Sequence, residues 1–81
     1  AAAFTAAAGY HYRCTGGTYA ANLPAGAGVA GQIISVKNIS ATSVTVTRNG
    51  GDTIDGNAAN LPLVAGEDAL LIAHSTGWDL I

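Results

Sequence analysis

A chain of 81 residues with a formal net charge of −2 is sized for one small domain. Its Lys, Arg, Asp and Glu side chains (Arg13, Lys37, Arg48, Asp52, Asp55, Glu67, Asp68 and Asp79) make up 10% of the sequence, against about 25% in ordinary globular chains. A lone cysteine excludes an internal disulfide, the scarcity of Lys and Arg argues against gripping a nucleic-acid backbone, and no apolar run approaches the ~20 residues of a membrane-spanning helix.

A domain this short hides only roughly 60–65% of the surface its unfolded chain exposes. Small domains offset that with disulfides, a metal or a partner. Cys14, His11 and His74 are too few and too scattered for a structural zinc site. Association with other subunits is the remaining solution, and a surface so poor in charge fits one covered by neighbours.

Residues 1–8, AAAFTAAA, favour helix by propensity but fall short of the ~12–15 residues an isolated helix needs. They lack the basic and long apolar regions of an intact secretory signal. Residues 1–9 therefore read as an N-terminal arm, a candidate docking segment, or as a first strand, with residues 10–81 as a single β domain. The start at Ala1 is open to initiator removal, processing or trimming.

Tyr10, Tyr12 and Cys14 alternate with His11 and Arg13, the period of a half-buried strand. Thr15-Gly16-Gly17 is a turn, and Thr18 to Leu23 a second strand closed by Pro24. Gln32 to Ile39 and Thr42 to Thr47 are rich in β-branched residues. The short Asn38-Ile39-Ser40-Ala41 stretch between them predicts a hairpin. Asn49-Gly50-Gly51 turns the chain, since Gly and Asn accept positive φ. Asp52 to Gly56 then crosses over to a segment around Leu61 to Val64, and Ala65-Gly66-Glu67 turns again. Asp68 to His74 and Trp78 to Ile81 complete the set around a turn at Ser75-Thr76-Gly77. Short strands at this spacing predict an all-β fold, a small antiparallel β-sandwich or barrel-like domain.

The ordered set Leu23-Pro24, Val29-Ala30-Gly31-Gln32, Val36-Lys37-Asn38-Ile39, Val44-Thr45-Val46, Gly51-Asp52-Thr53-Ile54-Asp55-Gly56, Leu61, Leu63, Ala65-Gly66-Glu67, Leu70 and Gly77-Trp78-Asp79-Leu80-Ile81 resembles a small β module of bacteriophage tail fibres, head fibres and capsid-decoration proteins. The likeness spans residues 10 to 81. It implies a homotrimer on the phage particle surface and transfers no catalytic residue. In fibres such a module is one piece of a long chain, whereas 81 residues standing alone suit a capsid decoration (cement) protein or short head fibre. As a fragment, the same residues suit a tail fibre.

Several constellations invite chemistry. Gly26-Ala27-Gly28-Val29-Ala30-Gly31 matches the dinucleotide-binding pattern, but that pattern works between a strand and a helix, and here a strand follows it. Cys14 with His11 could suggest a nucleophile and base, yet alternation sends them to opposite faces. Ordinary packing suits Cys14, and a surface or interface place suits His11 and His74, where symmetry could also bring histidines together around an ion. Asp52 and Asp55 could act as paired carboxylates, though between Gly51 and Gly56 they read as turn acceptors for nearby backbone N–H groups. Glu67-Asp68 reads as a solvated turn, and calcium would need 6–8 oxygens that the acidic turns do not supply. Trp78 suits the core or a subunit contact, and Asn38-Ile39-Ser40 is a formal glycosylation acceptor that a bacterially made protein would not use. No catalytic, cofactor-binding or metal-binding residue is assigned, and no cofactor.

The expectation is a non-enzymatic structural protein of the virion that packs against itself and against the phage major capsid protein or other virion proteins. The alternative is a tail-fibre or adhesin module whose loops at residues 15–18, 49–52 or 57–60 bind a host-surface protein or glycan.

Overall fold

The computed structural model describes residues 2–16 and 18–81. Ala1, and Gly17 of the expected turn after the first alternating strand, lie outside them. Among the described residues the chain forms β1 (Ala2–Thr5), β2 (His11–Cys14), β3 (Thr18–Asn22), a 3-10 turn (Gly26–Val29), β4 (Ile33–Asn38), β5 (Val44–Thr47), β6 (Thr53–Ile54), β7 (Leu61–Leu63), β8 (Asp68–His74) and β9 (Gly77–Leu80). The fold is all-β, as expected.

The strands make two sheets, one of four in the order β1-β3-β5-β7 and one of five in the order β2-β4-β8-β9-β6. Their inner faces meet in one core. The arrangement is a sandwich and does not close into a barrel. Its sheets are mixed, which corrects the expectation of an antiparallel domain. β1 pairs with β3, β3 with β5, β2 with β4 and β6 with β9 in parallel, while β4–β8, β5–β7 and β8–β9 are antiparallel.

The cause is the path of the chain. From β1 to β8 each strand lies in the opposite sheet from the one before it, so the chain winds between layers. For β1–β3, β2–β4 and β3–β5 a strand then finds its neighbour one full circuit later, running the same way. Parallel pairing needs a crossover, and here a strand of the other sheet supplies it.

The expected hairpin between Gln32–Ile39 and Thr42–Thr47 is accordingly absent, since β4 and β5 belong to different sheets. The connection is an arch held by a buried polar knot. Asn38 donates from Nδ2 to the carbonyls of Thr42 (2.7 Å) and Leu63 (2.9 Å). Its Oδ1 accepts from the Ser40 amide at 3.0 Å and hydroxyl at 2.7 Å. Both ends of the side chain are satisfied, which makes its burial tolerable. Asn38 is thereby closed off as a glycosylation acceptor. The hairpin that does form is β8–β9, across Ser75 and Thr76.

Core positions follow the alternation. Ile34 and Val36 of β4, Val44 and Val46 of β5, and Ala69, Leu71 and Ala73 of β8 point inward with Trp78, Leu23, Leu63 and Ile54. Trp78 is fully buried and donates its indole N–H to the Pro24 carbonyl at 3.1 Å, giving a large apolar side chain a polar outlet. The chain start joins this core: Phe4 packs on Tyr12 with ring centroids 4.9 Å apart, and Ala6 is buried.

Candidate functional site: two outer sheet faces

No cleft or cavity forms among the described residues, so the features available for recognition are the outer faces and edges of the sandwich. Register assigns each residue to a face, because directly paired residues point the same way.

On the four-stranded sheet the outer face carries Ala3 and Thr5 of β1, Ala20 and Asn22 of β3, Thr45 and Thr47 of β5, and Pro62 of β7. None of these is charged. Small, flat and hydroxyl-bearing, this face offers hydrogen-bonding groups at low desolvation cost. Pro62 lacks the N–H that would extend the sheet beyond β7, a feature that blunts an edge.

The outer face of the five-stranded sheet is different. Ile33 of β4 pairs with Ile72 of β8, and Leu70 of β8 lies opposite Ser35. Beyond β9, Ile81 donates its amide to the Leu70 carbonyl at 2.8 Å. The result is a continuous apolar stripe, with Ile33 44% exposed, Leu70 40% and Ile81 71%. On the β2 and β4 side lie His11, Arg13 and Lys37, and on the β8 and β9 side Asp68 and Asp79. His11 Nδ1 and Ser35 Oγ share a 2.8 Å hydrogen bond, Lys37 donates to the Gly66 carbonyl at 2.8 Å, and His74 Nε2 lies 3.6 Å from Asp79 Oδ1.

Compared with known protein families, with curated proteins and with solved structures, the chain matches none.

The residues singled out from sequence are dispersed. His11 points outward while Cys14 points into the core. Burial pushes the Cys14 thiol pKa up from its ordinary value, which disfavours the reactive thiolate. His74 lies at the far end of β8, where its Nδ1 accepts from the Thr76 amide at 3.2 Å. Among the described residues no three of His, Cys, Asp and Glu gather as a metal-holding group.

Asp52 and Asp55 both accept backbone N–H groups, from partners far away in the chain. Asp52 Oδ2 takes the Gly26 amide at 2.9 Å and Asp55 Oδ1 the Leu80 amide at 2.8 Å. They tie the loop around β6 to the 3-10 turn and to β9. Glu67 Oε1 closes its own turn by accepting the Val64 amide at 2.8 Å.

The glycine-rich stretch forms the 3-10 turn Gly26–Val29 and leads into β4. Gly26 is there for space: a Cβ at that position would strike the carbonyls of Gly77 and His74. Sequence reasoning missed the apolar stripe. Ile33, Leu70 and Ile72 alternate with buried residues that are equally apolar, so only the sheet pairing separates the outer set from the core.

Proposed function

We propose that this protein is a non-enzymatic structural component of a bacteriophage virion, a capsid decoration or head-fibre protein that acts as a homotrimer on the particle surface. The observation that carries the reading is the pair of outer faces, one uncharged and threonine-bearing, the other an exposed apolar stripe. Surfaces of this kind are suited to lasting burial, since contiguous apolar area and the lack of charge favour contact with protein over contact with water. The ordered motif set from Leu23-Pro24 to Gly77-Trp78-Asp79-Leu80-Ile81 supports the phage assignment by resemblance.

Function here is complementarity. Sister chains and the shell cover these faces, adding contacts between capsid subunits that oppose internal pressure. The test is co-sedimentation of the purified protein with undecorated capsids and, in parallel, with host cells. Saturable binding to capsids and none to cells is expected. Binding to cells alone rejects decoration in favour of the adhesin reading.

That second reading, a tail-fibre module for a host-surface glycan or protein, draws support from Tyr10 and Tyr19, which are 64% and 51% exposed. Exposed tyrosines offer an apolar ring and a polar tip to a partner.

A further inference from the structure

We propose that the outer face of the five-stranded sheet is the surface on which copies of this chain meet, each sheet setting its basic side against the acidic side of the next in a closed ring. The inference rests on the homotrimer reading and deepens it by assigning the face, the partner and the direction of contact. The occupant is a second copy of this chain.

The argument begins with the stripe. Ile33, Ile72, Leu70 and Ile81 are neighbours across β4, β8 and the end of β9. Directly paired Cβ atoms lie only about 4.5–5.5 Å apart, so these side chains form one patch rather than scattered exposed residues. A contiguous apolar patch rimmed by polar groups is the usual mark of a protein contact.

Charge then selects the partner. Crossing this face from β2 to β9, His11 and Arg13 come first, Lys37 of β4 and Asp68 of β8 oppose each other as a direct cross-strand pair, and Asp79 follows on β9 with His74 of β8 beside it. Asp55 continues the acidic side, held at that edge by its bond to the Leu80 amide. Of the three Lys and Arg residues in the chain, two are on the basic side. The third, Arg48, is turned toward the carbonyls of Gly50 (2.8 Å) and Asp52 (3.3 Å). The charges left unbalanced on this face are thus Arg13 on the β2 edge and Asp79 with Asp55 on the β9 side, and Ile33, Leu70 and Ile72 lie on the two strands between them.

A surface polarised in this way complements a copy of itself displaced sideways. Contacts of one edge with the opposite edge of the next copy are heterologous, and they generate a ring when the rotation closes. Three copies close with the stripes turned toward the common axis. Arg13 of one copy then meets Asp79 of its neighbour, which sets direction and register more than affinity.

The experiment measures mass in solution by light scattering on the full chain, with the buried Trp78 reporting the fold by fluorescence. The wild-type protein is expected to be a trimer. Leu70→Glu and Ile33→Glu, both at exposed positions, are expected to lower the mass threefold with native fluorescence retained. Thr45→Glu, on the outer face of the other sheet, is expected to leave the trimer intact. Arg13→Glu and Asp79→Lys should each weaken the trimer, and the double variant Arg13→Glu/Asp79→Lys should recover it. A wild-type trimer that survives Leu70→Glu and Ile33→Glu overturns this inference alone. A wild-type dimer overturns the ring. A wild-type monomer at every concentration reached overturns the trimer reading itself.

Discussion

Asn38 is the residue on which the arch between the sheets turns. Its side chain satisfies two carbonyls and accepts from Ser40 inside the sandwich. Replacing it with Ala strands several polar groups away from water, and each stranded group costs about 1–3 kcal/mol. Asn38→Ala is therefore expected to lose ~3 kcal/mol or more, measured by urea unfolding. Asn38→Asp keeps the shape but sets carboxylate oxygen against the carbonyls of Thr42 and Leu63. The charged form is the one penalised, so burial raises this carboxyl's pKa above its ordinary value, and the deficit should shrink as pH falls through that raised pKa towards the ordinary aspartate range. A deficit independent of pH would mean that the amide does not donate as described.

Gly77 makes a second demand at this scale. A Cβ there would run into the backbone of Thr53 in β6. Backbone cannot swing aside as a flexible side chain can, so Gly77→Ala must part β6 from β9. The expected result is a loss of ~3 kcal/mol or failure to fold, in the range set by overpacking a closed site. Gly28, whose Cβ would meet nothing within 4 Å, is the control, and Gly28→Ala is expected to change stability by less than about 1 kcal/mol.

Among elements, the strands were legible and their partners were not. Alternation places β2, and β-branched density β4 and β5, within a residue or two of where they lie, and one face of each is buried. That same alternation describes parallel and antiparallel strands equally well. Asn38-Ile39-Ser40-Ala41 had the length of a hairpin loop, yet Asn38 turns inward and carries the chain to the other layer. Asp52 to Gly56 reads as a crossing because the two residues of β6 show no period. The outward-facing site was legible only in part. The paucity of charge pointed to covered surfaces, but which apolar residues lie outside depends on register.

β1 also belongs to this scale. It pairs with β3, and Phe4 leans on Tyr12, whose hydroxyl accepts the Ala7 amide at 2.7 Å. Deleting residues 1–9 uncovers Tyr12 and removes the buried methyl of Ala6. The apolar area lost corresponds to about 2 kcal/mol, or roughly 10 °C in the thermal midpoint for a domain of this size. A scanning calorimeter decides it, and an unchanged midpoint would mean the segment adds nothing to the sandwich. Any effect of that deletion on particle binding must accordingly be judged beside the midpoint.

For the whole molecule, the accessible surface is 4149 Å², close to the ~4,450 Å² expected of a folded monomer of this mass. The radius of gyration of 11.4 Å likewise sits near the ~12 Å of a compact chain of this length. The interior is complete within one copy, so the association proposed above is a docking of finished subunits rather than the sharing of a core. That core is light, however. Alanine supplies four of its fourteen buried apolar side chains among the described residues, and Trp78 is the only aromatic among them.

The winding path has a kinetic consequence. With β8–β9 as the sole sequential pairing within one sheet among the described residues, almost nothing in the chain can be assembled locally. Loop-closure entropy must be spent on distant contacts before burial rewards it, the condition that slows folding most. Trp78 and Leu23, far apart in the sequence, have to find the same interior before any of it is dry. Refolding followed by tryptophan fluorescence should therefore take milliseconds to seconds, and a phase finished within microseconds would contradict the topology. During that interval the freshly made chain is the species most exposed to aggregation.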